Sequence, residues 1–361
     1  MSNRLLVEGL ARVGADVHLL AFAPACEGPA SGTGSYTCET HPVDFRGVAG
    51  HLACARILTR AVRARRPDVV LLLDDGMLRA LGFLPRVSKY GARFASVNSG
   101  STLVRENAHL RGRVNAFLVA RGHKWLDVVF VSEATARSLR ADVPDVADRV
   151  RVLGRPIPDS FFELEPSRAI VPAGLSGEPP RPLLFSCSRA DEQKGVQLIL
   201  DALALLRARH GREVADFAYA GEGPALAAWR ERAAALGLTR VAFLGAVPFD
   251  RIQENYACCY MGIFPSTYPD ETFGRTWVEA FACGRPVIST HINNLKHLVL
   301  DGVNGLVVEP NADSVAAGIE RALALGQDEY LQMSRRARET ALPFRQSSIV
   351  GQLVDALGGS R

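Results

Sequence analysis

Short apolar runs that close on glycine, serine or aspartate recur along this chain, and segments with helical spacing lie between them. Asp68 to Leu73 ends at Asp74-Asp75-Gly76, Arg93 to Val97 at Asn98-Ser99-Gly100, and Asp127 to Val131 at Ser132. Further on, Leu183 to Cys187, Asp216 to Ala220, Arg240 to Gly245, Met261 to Phe264 and Val287 to Ser289 repeat the pattern. A continuous apolar run of this length suits a strand buried on both faces, and its alternation with amphipathic helices predicts a parallel, doubly wound α/β sheet. At 361 residues there is room for two such domains. The segment from Arg155 to Pro182, dense in proline and glycine, divides them. The expected boundaries are 1–160, a linker at 161–182, and 183–342, with a closing amphipathic helix at 343–361.

The first domain opens on a helix, Asn3 to Gly14, followed by a strand over residues 16–22 and a loop from Pro24 to Thr40. A doubly wound sheet normally begins with a strand and a glycine-rich turn, and that strand lies in the middle of the sheet. Its absence predicts a gap between neighbours that expect to pair with it. After the second domain's strands, Gly302 to Pro310 alternates like a hairpin.

The chemistry concentrates at the carboxyl ends of the second domain's strands. Ser188-Arg189 and Lys194-Gly195 surround a strand-to-helix turn, where a guanidinium fork and an ammonium can clamp a diphosphate. A charged, solvated loop would have the same composition. Gly221 and Gly223 permit close approach of backbone to a ligand. Between Pro265 and Pro286 lie two acids, Glu271 in the loop and Glu279 within the helix that follows Phe273-Gly274. The first amides of that helix, around Gly274, Arg275 and Thr276, suit a phosphate. Carboxylates beside a phosphate suit sugar hydroxyls, although acids flanking a helix also serve its dipole.

Charge and cysteine content narrow the class. Residues 1–160 carry 22 Lys+Arg against 15 Asp+Glu, a balance of +7, and the remainder carries 20 against 23, a balance of −3. Much of the excess is arginine on helices, as at Arg60, Arg63, Arg65 and Arg66, a place for peripheral membrane contact or a plain solvated face. No aromatic-interleaved basic motif points to nucleic acid. No apolar stretch approaches the roughly 18 residues of a membrane span, and no secretory leader pattern is present at the start. Seven cysteines without Cys-x-x-Cys pairing argue for a reducing cytoplasm. No set of residues has metal-ligand spacing.

Taken in order, Ser188-Arg189 with Lys194-Gly195, Gly221-Glu222-Gly223-Pro224, Phe243-Leu244-Gly245, Glu271-Thr272-Phe273-Gly274 with Glu279-Ala280, Cys283 to Val287, and Gly302 to Gly305 resemble glycosyltransferase family 4. The resemblance is close over residues 183–325 and looser over residues 3–160. It implies a GT-B fold, two Rossmann-like domains facing across a cleft, with a nucleotide-sugar donor on the second and the acceptor on the first. It implies that Arg189 and Lys194 bind the donor diphosphate, Glu271 the donor sugar and Glu279 the ribose hydroxyls. Ser188, Gly221, Gly223, Phe243, Phe273, Gly274 and Arg275 complete the donor site. Transfer would proceed with retention, without metal or cofactor, to a sugar, a lipid-linked or a small-molecule acceptor. On the acceptor side, Asn98 stands where many members have histidine, and Asp74 and His109 are further candidates. The missing first strand and Asn98 keep open the alternative of a catalytically impaired or truncated nucleotide-sugar-binding relative.

Overall fold

The computed structural model describes residues 2–22, 36–41, 43, 48–73, 76–84, 91–98, 110–142, 144–163, 181–268, 273–292 and 295–358. The chain forms two compact units, Met1–Pro156 with Gln346–Arg361, and Ile157–Arg345. The division falls four residues before the expected boundary at 160. Ile157 explains it: its fully buried side chain joins the core of the second unit, together with Phe161, which lies 5.8 Å from the Phe249 ring.

In chain order the first unit comprises α1 (Ser2–Arg12), β1 (His18–Ala21), β2 (Thr37–Thr40), α2 (Val48–Arg65), β3 (Val69–Leu72), α3 (Gly76–Gly82), β4 (Arg93–Asn98), α4 (Leu110–His123), β5 (Val128–Val131), α5 (Glu133–Asp142) and β6 (Val150–Val152). Its strands form two parallel pieces, β1 with β2, and β3-β4-β5-β6. Among the described residues no strand pairs with the other edges of β1 and β3, the position that doubly wound order gives to the first strand. Leu20 and Phe22, at β1, nevertheless pack on the same core as Val70 and Leu72 of β3. The β2 strand corrects the expected loop from Pro24 to Thr40, whose residues 24–35 lie outside the described set. Thr37-Cys38-Glu39-Thr40 is mostly exposed, so no apolar run marks it as a strand.

The second unit comprises β7 (Leu183–Cys187), α6 (Val196–His210), β8 (Asp216–Ala220), α7 (Leu226–Ala235), β9 (Val241–Gly245), α8 (Phe249–Cys258), β10 (Met261–Phe264), α9 (Arg275–Ala282), β11 (Val287–Thr290), α10 (Leu295–Leu298), β12 (Gly305–Val308), α11 (Ala312–Leu323) and α12 (Gln327–Ala341). Six parallel strands follow the order β12-β11-β10-β7-β8-β9. The apolar runs lie in the middle: β7, β8, β10 and β11 are almost wholly buried, whereas the edge strand β9 is half-buried. Two core clusters cover the two faces of this sheet. The hairpin expected at 302–310 is instead a turn followed by one strand, β12, lying parallel to β11. Alternation alone does not distinguish these, because the parallel partner is distant in sequence.

The last helix, α13 (Gln346–Gly358), packs in the first unit against α1, where Gln346 Nε2 donates to Leu5 O at 2.7 Å. No helix among the described residues is long and apolar enough to cross a membrane. Cys54, Cys187, Cys258, Cys259 and Cys283 are free thiols, and Cys38 is disulfide-bonded.

Candidate functional site

The strand order of the second unit marks a candidate ligand site before any side chain is considered. From β7 the chain proceeds to β8 and β9 on one side, then returns to β10 on the other. The loops leaving the carboxyl ends of β7 and β10 therefore diverge, the arrangement at which open α/β sheets bind ligands. These are the loop from Ser188 to Gly195 and the segment that leaves β10, described over Pro265 to Tyr268 and again from Phe273.

Three glycines let the loops approach. Gly195 has φ +73°, and a Cβ there would stand 2.0 Å from Pro265 O. Gly221, at φ +144°, would set a Cβ 1.9 Å from Ser188 O, and Gly223, at φ +152°, one 2.5 Å from Ala190 O. No side chain fits at these separations, so the pattern Gly195, Gly221, Gly223 reflects backbone packing around the candidate site. Direct ligand contact at Gly221 and Gly223 is a further role, not a necessary one.

Hydrogen bonds fix the same loops. Ser188 N–H donates to Ala220 O at 3.1 Å, Ala190 N–H to Glu222 O at 2.8 Å, and the Tyr219 hydroxyl to Ser188 O at 2.7 Å. Across the switch point, Thr267 N–H and the Ser266 hydroxyl donate to Gln193 O at 2.8 and 3.1 Å. The Thr290 hydroxyl supports Ser266 from β11, donating to its carbonyl at 2.6 Å.

The two cations differ in setting. Arg189 is 72% exposed, and its Nε lies 3.3 Å from Asp191 Oδ2, an exposed pair worth at most about 1 kcal/mol. A phosphate can displace that partner at little cost. Lys194 ends a 3₁₀ turn, its Nζ 5.4 Å from the centre of the Tyr268 ring. The cation thus lies between the two loops, held over an aromatic face.

The third component is the start of α9. Gly274 caps it at φ +69° without a side-chain hydrogen bond. Trp277, Val278 and Phe281 bury the helix, and the Trp277 Nε1–H donates to Ser289 Oγ at 2.7 Å, anchoring it to β11. The amides of Arg275 and Thr276 belong to the first turn, where a helix has no carbonyls of its own to satisfy them. The helix stops at Gly284, φ +67°, before Pro286.

Glu279 lies one turn inside α9 and is 4% exposed. Arg275 Nε donates to its Oε1 at 2.7 Å, and the Arg275 guanidinium rests 4.7 Å from the centre of the Phe249 ring. Burial raises the carboxyl's pKa, and the Arg275 charge and hydrogen bond oppose that rise. Tyr256 acts in the same direction as Arg275. Its hydroxyl stands close to the carboxylate but meets no partner in hydrogen-bond geometry among the described residues. At the end of β7, burial and then the charge of Glu279 push the Cys187 thiol up to about 12, so it is not a nucleophile at neutral pH.

Of the residues expected at the donor site, Ser188, Arg189, Lys194, Gly221, Gly223, Phe273, Gly274, Arg275 and Glu279 lie in or beside these loops and the first turns of α9. Phe243 sits within β9, its ring 6.3 Å from Tyr219 on the core side and under Arg230. Phe273 packs edge-on against Phe344 at 5.2 Å. Asn98 closes β4 at its carboxyl end. Glu271, Asp74 and His109 lie outside the described residues. Sequence reading missed Tyr256 and Phe249, which α8 brings to Glu279 and Arg275. It also missed Tyr268, whose only sequence signal is an aromatic just beyond a strand end.

Comparison with known proteins places this geometry in context. Residues 175–340 match the family model described as Glycosyl transferases group 1. An uncharacterized glycosyltransferase of Methanocaldococcus jannaschii is 32% identical over 152 residues, 41% of this chain and 38% of its own length. The alpha-D-kanosaminyltransferase of Streptomyces kanamyceticus is 27% identical over 220 residues, 60% of this chain and 55% of its own length. The chain thus spans between about a quarter and just over a half of the length of the curated relatives it matches. Among solved structures, Anabaena HepE in complex with UDP superposes with a TM-score of 0.74 at 17% identity, covering 99% of this chain and 96% of that one. The fold is therefore GT-B, built from two Rossmann-like domains.

Proposed function

We propose that the protein is a retaining glycosyltransferase of family 4, moving a sugar from a nucleotide-diphosphate donor to an acceptor hydroxyl without a metal ion. The observation that carries this reading is that β7 and β10 lie side by side at the topological switch point of the second unit, one leading into the turn that bears Arg189 and Lys194 and the other toward α9 with its buried carboxylate. The family match over residues 175–340 supports it, as does the UDP bound by HepE.

Each group then has a physical role. Arg189 and Lys194 neutralise the diphosphate, whose charge grows as the leaving group departs, and the N-terminus of α9 adds its dipole. Glu279 accepts from the ribose hydroxyls and Glu271 from the donor sugar. The bond from the anomeric carbon to the phosphate oxygen breaks while the acceptor oxygen attacks from the same face, and the acceptor's proton passes to the leaving phosphate. No side chain needs to act as general base. The acceptor, a sugar, a lipid-linked or a small molecule, meets the first unit, with Asn98, Asp74 and His109 as its candidates and the arginines of α2 as a peripheral membrane contact. The five free cysteines among the described residues support a cytoplasmic location, and the disulfide at Cys38 counts against it.

Asn98 at the carboxyl end of β4, where many family 4 members carry histidine, favours a second reading, a protein that binds nucleotide sugar without transferring it. One experiment decides. Purified protein is incubated with a panel of UDP-, GDP- and ADP-sugars together with sugar, lipid-linked and small-molecule acceptors, following nucleoside diphosphate release and binding in parallel. The enzyme reading expects release with one donor and its loss in Lys194→Ala and Glu271→Ala. Binding without release establishes the second reading, and full turnover in either variant refutes the assigned site.

A further inference from the structure

We infer that Arg275 is a positioning residue for Glu279, holding that buried carboxylate in the ionised, oriented form in which it accepts hydrogen bonds from a ribose. The inference rests on the donor-site reading above and assigns Arg275 a task other than contact with the donor.

Glu279 is almost completely removed from water, and an isolated carboxylate in such a place reverts to its neutral form. Four groups of the described residues act on it. Arg275 and Cys283 belong to α9 and its end, Tyr256 reaches it from α8, and Cys187 from the end of β7. The two thiols and the phenol are neutral at physiological pH, because burial pushes all three up. Arg275 is the cation, 2.7 Å away.

The geometry adds orientation to charge. Arg275 and Glu279 are four residues apart on one helix, so their side chains share a face. The guanidinium lies over Phe249, 4.7 Å from its centre, and Phe249 in turn packs 5.8 Å from Phe161. This stack fixes the plane of the guanidinium, and the Nε–H bond to Oε1 fixes the carboxylate. Oε2 and the second lone pair of Oε1, near which the Tyr256 hydroxyl stands, are the acceptors that this arrangement offers to hydroxyls. A neutral carboxyl would present a donor in place of one of them.

The consequence concerns pH. With Arg275 in place, Glu279 accepts hydroxyls throughout the neutral range. In Arg275→Met the carboxyl protonates, so nucleoside diphosphate binding weakens at low pH and recovers as pH rises. Charged hydrogen bonds exceed neutral ones by an amount that corresponds to about tenfold in affinity.

The test is carried out on the whole chain, with the probe fixed by screening UDP, GDP and ADP on the parent protein. Titration calorimetry of that diphosphate and its 2′-deoxy analogue is run from pH 6 to 9 on the parent, Arg275→Met, Arg275→Lys and Glu279→Gln. Isotope-edited infrared spectra at pH 7 record the carboxyl band that Glu279→Gln removes. A protonated carboxyl in Arg275→Met but not in Arg275→Lys, with affinity in the former rising about tenfold toward pH 9, supports the proposal. An ionised Glu279 in Arg275→Met at pH 7, or a loss of affinity that is the same at every pH, overturns it. Failure of the parent to bind any of the diphosphates refutes the donor site, whereas the infrared band still decides whether Arg275 sets the state of Glu279. If Arg275→Met does not fold, Arg275→Lys must keep the carboxylate ionised, and its protonation there overturns the proposal.

Discussion

Replacing His123 by leucine should stabilise the first unit at neutral pH and remove most of its sensitivity to mild acid. His123 closes α4, is 0% exposed, and neither ring nitrogen has a hydrogen-bond partner among the described residues. Burial lowers its pKa from the ordinary 6.5 to about 4. Between those values the unfolded chain binds a proton that the folded unit refuses, so stability falls as pH drops through 6.5 and the loss is complete near pH 4. At about 1.4 kcal/mol for each tenfold change in proton affinity, the full loss is roughly 3 kcal/mol, of which about 2 has occurred by pH 5. Even the neutral ring leaves two polar atoms unsatisfied, so leucine, of similar volume, should add about 1–3 kcal/mol at pH 8. The assay is urea unfolding at pH 8, 6 and 5, followed by amide exchange in peptides from residues 110–126, because two units make whole-protein signals ambiguous. Carboxylates titrate in both proteins, so the difference between parent and His123→Leu isolates the histidine. Equal losses between pH 8 and pH 5 in the two proteins would refute the reasoning.

Further outcomes follow from the same structure. Gly195→Ala should weaken nucleoside diphosphate binding strongly, since alanine must accept φ +73° and its Cβ would meet Pro265 O. Gly211→Ala, at φ +67° with nothing within 4 Å, carries only the conformational cost of about 1–2 kcal/mol and should leave binding unchanged; equal effects on binding would show that the contact with Pro265 is irrelevant. Arg240→Met should destabilise the second unit by about 3–5 kcal/mol in urea unfolding, because Arg240 Nε and Nη2 hold the fully buried Asp216 at 2.7 and 2.9 Å. Arg240→Met with Asp216→Asn should recover much of that loss, and no recovery would assign it to packing. Turnover should survive exhaustive chelation, and a rate that collapses with EDTA and returns with magnesium would refute metal-independent transfer.

The periodic features of the chain were legible because they are set by near neighbours. The apolar runs at Leu183, Asp216 and Met261 become buried parallel strands, and α9 starts after Gly274 and stops at Gly284 as its residues dictate. The glycines at 195, 221 and 223 were visible as permissive positions, but which backbone each one admits depends on strands that meet only in the folded sheet. Thr37 to Thr40 escaped notice because an exposed strand needs no apolar signature. Gly302 to Pro310 was misread because its partner, β11, is chosen by the sheet and not by the turn.

For the site itself, the sequence alone determined the residue types, two cations at one strand end and two acids around one helix start, and so the chemistry proposed for phosphate and hydroxyls. Tertiary structure decided their states. The strand order brought β10 beside β7 and made a candidate site of their loops. Packing of α8 against α9 removed Glu279 from water and set Arg275 between it and Phe249. Desolvation and strand order depend on which distant segments come together, and no local pattern encodes them.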